Sequence, residues 1–225
     1  MYFPWVGMLE QMRMADVHVH LDDAQFSKGG FFNRVQVKTG QGTPWLTVPL
    51  AENKLGQPLN LLRPAAHDWR RKHLATLSQA YAGAPHSEAM IALAESVLGT
   101  GHDSLASLGA ASMEALADYF GILPPVIQWA SRMNRGETGT ERVLAICRAL
   151  GAERYVTGHG ARAYLDHAAF EAEGIRVEYM EYRLREYPQL HGAFTAHVSA
   201  LDLVANAGPD GREVIASGSV YWKEA

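Results

Sequence analysis

Alternating helix and strand signals between residues 138 and 181 constrain the fold more than any other feature of this sequence. Thr138 and Glu141 form a capping-box pattern at the start of a helix, and Gly151 ends that helix. The pattern continues with a strand at 154–157, a helix at 161–173 stopped by Gly174, and a strand at 175–182. Two strands joined through a helix require a crossover connection, so we expect the two strands to be parallel.

A β-hairpin and a group of helices precede this unit. Val17, Val19 and Leu21 alternate with polar residues and predict a strand, while two β-rich runs around the turn TGQG indicate a hairpin at 31–50. One face of a helix is marked by residues spaced four apart: Trp69, His73, Leu77 and Tyr81. Further elements are predicted as a short strand at 59–62 and helices at 87–98 and 103–120.

These elements predict an α/β protein with a small parallel or mixed, Rossmann-like sheet, a β-hairpin and a helical insertion. A chain of 225 residues suits one compact domain of this kind. We expect three parts within it: an N-terminal α/β part with the hairpin at 1–65, the helical insertion at 66–123, and a C-terminal α/β part at 124–225.

The composition excludes several classes of protein. Hydrophobic residues make up 48% of the chain and charged residues 20%, which excludes intrinsic disorder for most of it. A formal net charge of −4 gives no positive field for nucleic acid, and no apolar run reaches the roughly 18 residues of a membrane span. The single cysteine, Cys147, excludes an internal disulfide framework and a cysteine-based zinc site. We therefore expect a cytoplasmic protein without a nucleic-acid partner.

Two histidines on the first predicted strand form one candidate site. His18 and His20 are two residues apart, so a strand points both imidazoles to the same side, where they can share a divalent metal ion. A catalytic metal needs a third ligand, and no later histidine or aspartate stands in an equally suggestive position. Histidines on a semi-buried strand face are the simpler interpretation, and the metal site is an alternative.

Two aspartates follow that strand, at the position where open α/β sheets bind their ligands. The carboxylates of Asp22 and Asp23 can act as a general base or hold Mg²⁺ near a phosphate, although either aspartate equally suits a turn cap. Further along, Gly158 and Gly160 flank a turn between a predicted strand and a predicted helix. That turn either binds an anion at the helix N-terminus or serves as a tight connection.

Several dispersed motifs follow one another along almost the whole chain. In the N-terminal half they are YFPW at 2–5, LDDAQF at 21–26, Lys28, Asn33-Arg34, LTVP at 46–49, Trp69, Lys72-His73 and Tyr81. In the C-terminal half they are ERVLAICRALGAERYVTG at 141–158, GARAYLD at 160–166 and ALDLVANAG at 200–208. Together these motifs resemble the WbqC-like family of bacterial proteins. Family members usually carry a β-strand and a Gln-Pro pair before the YFPW motif, so the resemblance implies that the first strand is missing from this chain.

The resemblance implies an enzyme of surface-polysaccharide biosynthesis, such as that of the O-antigen of lipopolysaccharide. The implied reaction forms an amide between an acyl or aminoacyl group, for example glycyl, and a nucleotide-linked amino sugar. The partners are then that sugar and a small-molecule acyl donor, activated with ATP and Mg²⁺ or carried as an acyl or aminoacyl group. The implied catalytic residues are Asp22, Asp23 and His73. The implied substrate-binding residues are Tyr2, Trp5, Gln25, Lys28, Asn33, Arg34, Trp69, Lys72, Gly158, Gly160, Arg162, Tyr164 and Asp166.

Two other functions remain open at this point. A metal-dependent hydrolase that uses His18 and His20 requires a tightly bound metal ion. A non-catalytic sugar-nucleotide binding protein requires ligand binding without turnover. The binding of a metal ion or of a nucleotide sugar therefore separates the three hypotheses.

Overall fold

The structure is a computed structural model that describes residues 1–27, 29–52, 56–66, 68–133, 136 and 138–225. Its α-helices are α1 (Val6–Arg13), α2 (Trp69–Ala80), α3 (Ser87–Leu98), α4 (Leu105–Tyr119), α5 (Gly139–Ala149), α6 (His167–Ala172) and α7 (Ala200–Ala207). Its strands are β1 (Val17–His20), β2 (Arg34–Gln36), β3 (Trp45–Thr47), β4 (Val126–Trp129), β5 (Arg154–Thr157), β6 (Arg176–Glu181) and β7 (Gly218–Tyr221). Short 3-10 turns occupy Leu59–Leu61, Ala130–Met133, His159–Ala163 and Gly208–Val214.

The described strands pair in three small sheets. β1 and β4 are parallel, with His20 opposite Trp129 at their carboxyl ends. β5 and β6 are also parallel, joined through α6, and β7 adds to β6 in the antiparallel direction. β2 and β3 form the antiparallel hairpin. The predicted α/β fold with small parallel or mixed sheets and a hairpin is therefore confirmed.

The segments that follow the parallel strands meet at one edge of the molecule. Asp22, which follows β1, accepts hydrogen bonds from Ser131, which follows β4. The first turn of α5 contacts two of these segments. Arg142 pairs with Asp23 after β1, and the hydroxyl of Thr140 donates to the backbone carbonyl of Tyr164 after β5. Because ligands of open α/β sheets bind beyond the carboxyl ends of the strands, this edge positions the candidate site.

A helical layer encloses the largest apolar core. α3 packs against α2, α4 and α7, and Leu201, Leu203 and Val204 of α7 are fully buried. Tyr2 and Phe3 enter the same core. The apolar stretch near the C-terminus is thus packed inside the chain. Among the described residues, no helix is both long and apolar enough to cross a membrane.

A buried polar network ties this core to the hairpin. Asp202 of α7 is fully buried and accepts hydrogen bonds from the hydroxyls of Tyr81 and Tyr187, each at 2.9 Å. Lys38, in the hairpin loop, is 3% exposed, and its ammonium donates to three oxygen atoms of residues 189–193. Burial raises the pKa of Asp202, and the positive charge of Lys38 opposes that shift. The network therefore fixes the loop before α7 against the hairpin.

The predicted helix at 161–173 is wrong in its first half. The structure has a 3-10 turn at His159–Ala163 and begins α6 only at residue 167, where the Asp166 side chain caps it. The physical reason is a contact from a distant element. The hydroxyl of Thr140 donates to the carbonyl of residue 164 and accepts from the N–H of Asp166, which holds the chain away from a continuous helix.

Two smaller expectations are also corrected. The predicted strand at 59–62 is a 3-10 turn, which places the buried side chains of Leu59 and Leu62 on one side. Thr138 occupies the position before the first residue of α5, but its side chain makes no capping hydrogen bond.

We expect the Lys38→Met substitution to lower the free energy of unfolding by about 3 kcal/mol, because it leaves Asp202 without its nearby positive charge and three oxygens without their donor. Urea denaturation measures this change. Lys72→Met is the matched control, since Lys72 is exposed and its loss should change the stability by less than about 0.5 kcal/mol. Equal stability changes in the two variants would contradict the role of the buried network.

Candidate functional site

The two aspartates after β1 have different surroundings. Asp22 is buried, and its carboxylate accepts hydrogen bonds from the Ser131 N–H at 2.9 Å and from the Ser131 hydroxyl at 2.6 Å. Asp23 is half-buried and forms an ion pair of 2.5 Å with Arg142. Asp22 therefore joins the segments that follow β1 and β4, whereas the carboxylate of Asp23 lies beside the guanidinium of Arg142.

The glycine turn after β5 is in close contact with Tyr182, which follows β6. A Cβ atom at Gly158 would lie 3.2 Å from the Tyr182 hydroxyl, whereas a Cβ at Gly160 would meet nothing within 4 Å. The Tyr182 ring also contacts His159 at 5.9 Å and Trp5 at 5.0 Å between ring centroids. Three segments therefore meet here: the start of α1 and the exits of β5 and β6.

Tyr179, near the end of β6, contacts the side chains of His159, Arg162 and His167. Its ring is 1% exposed, and the imidazole of His159 stacks on it at 6.0 Å with an interplanar angle of 6°. The guanidinium of Arg162 lies over the same ring at 4.8 Å, and Nε2 of His167 lies 2.8 Å from the Tyr179 hydroxyl. A buried phenol thus positions a cation and an imidazole at the surface.

Two other residues of the GARAYLD motif lie beside this cluster. Tyr164 is 56% exposed, and Asp166 caps α6 rather than pairing with Arg162. We define the carboxyl-edge site as the residues gathered after β1, β4, β5 and β6 together with Trp5: Trp5, Asp22, Asp23, Ser131, Arg142, Gly158, His159, Gly160, Arg162, Tyr164, Tyr179 and Tyr182.

Three other predicted site residues lie together inside the protein. Tyr2, Trp69 and His73 are each at most 6% exposed, and the Tyr2 hydroxyl lies 2.8 Å from Nδ1 of His73. Burial lowers the pKa of His73 to about 4, and a hydrogen bond to the backbone of Thr47 opposes that shift. Lys72 precedes His73 on α2 and is exposed. Within the described part of the chain, no hydrogen bond or ring contact joins this cluster to the carboxyl-edge site.

The remaining predicted binding residues belong to the hairpin region. Asn33 donates to the carbonyl of Val48, and the guanidinium of Arg34 lies over the ring of Trp45 at 4.2 Å. Nε of Arg34 is buried, and among the described residues it has no acceptor. Gln25 is exposed. Lys28 was also predicted to bind substrate, but it lies outside the described residues.

The histidine pair of β1 is packed against neighbouring side chains. The rings of His18 and His20 lie 4.7 Å apart, and Nε2 of His20 lies 2.9 Å from Oε1 of Glu114. Burial lowers the pKa of His18 to about 3, and the neighbouring His20 adds to that shift. Among the described residues, no group of three or more His, Cys, Asp or Glu side chains has the arrangement of a metal site.

Sequence analysis did not single out five members of the carboxyl-edge site: Ser131, Arg142, His159, Tyr179 and Tyr182. Tyr182 ends the predicted strand at 175–182, so the rule that parallel strands end at one edge was the available signal for it, whereas no strand was predicted before Ser131. Tyr179 was visible only as part of an alternating strand pattern. Arg142 gave no signal, because its partner Asp23 is 119 positions away in the sequence.

Comparison with known proteins identifies a family and a relative. The sequence matches the WbqC-like protein family over residues 1–214. The chain belongs to the WbqC-like family. It is also 33% identical over 213 residues to the uncharacterised protein Rv1507c of Mycobacterium tuberculosis, covering 93% of this chain and 91% of that relative. No solved structure was found to match.

We expect the stability of this WbqC-like protein to depend on pH through His73. Because burial lowers the pKa of His73 from 6.5 to about 4, its neutral form contributes stability above pH 6.5, and this contribution is lost as the pH falls through 4. The loss should be about 3 kcal/mol. Comparing the urea stability of His73→Gln and the parent protein at several pH values isolates this contribution, since His18 is common to both. Parallel pH profiles would contradict it.

The two glycines of the turn provide a second prediction. Gly158→Ala is expected to displace the Tyr182 hydroxyl and lower the free energy of unfolding by about 1 kcal/mol, because the new methyl group meets it at 3.2 Å. Gly160→Ala is the matched control and should change stability by less than about 0.5 kcal/mol, since nothing lies within 4 Å. Thermal unfolding and tyrosine fluorescence measure both. A larger effect at Gly160 would refute the assigned contact.

Proposed function

We propose that this WbqC-like protein is a cytoplasmic enzyme that transfers an acyl or aminoacyl group to the amine of a nucleotide-linked amino sugar, for use in a surface polysaccharide. The observation that carries the proposal is the composition of the carboxyl-edge site. A glycine turn, an exposed arginine and aromatic side chains occupy the edge where α/β sheets bind ligands. The chain belongs to the WbqC-like family, and the substrate class is the one that the resemblance to this family implies.

The site offers groups for each part of such a substrate. The Arg162 guanidinium is a fixed cation suited to the diphosphate, because Tyr179 holds it in place. The exposed ring of Tyr164 and the half-buried ring of Trp5 are surfaces on which a base or sugar ring can stack. A Cβ atom at Gly160 would meet nothing within 4 Å, so the glycine turn itself is open to a ligand.

Amide formation needs a base for the sugar amine. In the proposed reaction the ammonium first loses a proton, and the resulting amine nitrogen attacks the acyl carbonyl of an acyl phosphate or thioester. The new N–C bond forms, the bond from that carbonyl to its phosphate or thiolate leaving group breaks, and the second proton is also released. Asp23 is the preferred acceptor, since Arg142 fixes its carboxylate and part of it faces solvent.

Asp22 and His73 have less direct parts in this proposal. Asp22 is committed to Ser131 and holds the exits of β1 and β4 together, so it positions Asp23. His73 is buried against Tyr2 and acts by supporting the interior beneath the hairpin.

A binding titration with purified protein and a panel of nucleotide-linked amino sugars tests the proposal. Arg162→Met should weaken binding about ten-fold, because the diphosphate loses a charge-assisted hydrogen bond. Arg148→Met is the control and should bind normally, since Arg148 pairs with Glu173 at the opposite end of α5. Mass spectrometry then detects the amide product with acyl phosphate, thioester, or amino acid plus ATP as donor. Asp23→Asn should lower turnover at least 100-fold while binding persists.

The other outcomes identify the alternatives. Binding of the sugar without an amide product for any donor would overturn the enzyme proposal in favour of a binding protein. Stability that is lost on chelation and restored by zinc would favour a metal-dependent hydrolase at His18 and His20. Equal sugar binding by Arg162→Met and the parent protein would refute the assigned diphosphate contact.

A further inference from the structure

A small cleft adjoins Trp5. It lies between the first turns of α1 and the segment 184–198, and its interior volume is about 20 Å³. This is room for about one water-sized group, so the cleft suits an ammonium group and not a whole nucleotide sugar. Trp5, Glu10, Tyr187, Phe194 and His197 line it.

A buried carboxylate lies at the base of this cleft. Glu10 is 2% exposed, and its Oε1 accepts a long hydrogen bond of 3.3 Å from the backbone N–H of Ser217. The nearest helical cation, Arg13, donates to the carbonyl of Ser217. Among the residues that the structure describes, no lysine, arginine or histidine forms an ion pair with Glu10. Arg13 lies close enough for its positive charge to act on the Glu10 carboxylate, but it forms no ion pair with it, so a cation in the cleft can supply a closer counter-charge.

The walls of the cleft favour the same kind of ligand. The rings of Tyr187 and Phe194 meet edge to face at 5.4 Å, and the Tyr187 hydroxyl is fixed by Asp202. The Trp5 ring forms another part of the lining. Aromatic faces attract a cation through their π electrons, most strongly where water is excluded. Arg185 also lines the cleft, but its guanidinium donates to the carbonyl of Glu213.

The rim of the cleft has a strained backbone. His197 adopts a positive φ of 63° and its ring packs on Trp5 at 4.8 Å between centroids. A residue other than glycine in this conformation costs free energy and persists only where its surroundings hold it, and such residues cluster at binding sites. Burial also raises the pKa of Glu10, with the hydrogen bonds from Ser217 and Ala216 and the positive charge of Arg13 opposing the shift.

We propose that this cleft binds a small primary ammonium group, with the Glu10 carboxylate as its counter-ion and Trp5, Tyr187 and Phe194 as its aromatic walls. Trp5 lines the cleft and its ring also contacts Tyr182 of the carboxyl-edge site, so the two sites adjoin at Trp5. In the transfer reaction this ammonium is the α-ammonium of an aminoacyl donor rather than the amine that is acylated. That assignment rests on the proposed function, whereas the binding of an ammonium group does not.

Ligand-observed NMR with two matched probes tests the cleft. Glycinamide carries an ammonium group, and glycolamide carries a hydroxyl in its place. We expect glycinamide to bind and glycolamide to bind at least ten-fold more weakly. Glu10→Gln should weaken glycinamide binding at least ten-fold, whereas Glu178→Gln should leave it unchanged. Glu178 is the matched control because it is also buried but is bonded to Ser219 on β7.

Phe194→Leu keeps the test decisive if Glu10→Gln does not fold. It removes an aromatic wall from a half-buried position and should weaken glycinamide binding about five-fold. Equal binding of the two probes, no binding of glycinamide, or unchanged binding in the folded cleft variants would overturn the proposal. The nucleotide-sugar titration is measured on the same proteins. If glycinamide binds but the nucleotide-linked sugar does not, the proposed function is overturned and the ammonium site stands. If the sugar binds but glycinamide does not, the ammonium site is overturned and the proposed function stands.

Discussion

The burial of Lys38 and Asp202 is the constraint on which much of this structure depends. An ammonium and a carboxylate removed from water each cost several kcal/mol unless their hydrogen bonds are replaced. Here the ammonium meets three oxygens of residues 189–193, and the carboxylate meets the hydroxyls of Tyr81 and Tyr187. These partners come from the hairpin, α2, α7 and the loop before α7. The four segments are therefore bound to one relative arrangement.

This arrangement has consequences at the surface. The segment 184–198 contains little regular structure, so its backbone is held largely by side chains rather than by helix or strand hydrogen bonds. Gln189 bonds to Thr195 within the segment, and the N–H of residue 190 bonds to Asn206 of α7. The same segment supplies one wall of the cleft above Glu10. The two buried charges and their hydrogen bonds thus hold in place a segment that lines a pocket outside the core.

The sequence predicted the elements whose signals are local. The helix that became α5 has an apolar face and a terminal glycine, and the hairpin has two β-rich runs around a turn, so neither needs information from elsewhere in the chain. The 3-10 turn at His159–Ala163 was missed because Thr140 interrupts the helix from a different element. The site residues also divide into those marked by local sequence motifs and those brought together only by the fold. Gly158 and Arg162 belong to local motifs, whereas Tyr182 reaches Gly158 only through the pairing of β5 with β6.

Membership in a family motif does not separate residues that act from residues that support. Asp22 and Asp23 are neighbours in the LDDAQF motif, but the first is buried with both carboxylate oxygens bonded, and the second is half-buried beside Arg142. Both carboxylate oxygens of Asp22 accept hydrogen bonds from Ser131, and these bonds hold the ends of β1 and β4 together. Asp23 leaves part of its carboxylate facing solvent, where a substrate can reach it. The burial of each motif residue and the partners of its polar atoms therefore decide which positions face a substrate and which ones build the site.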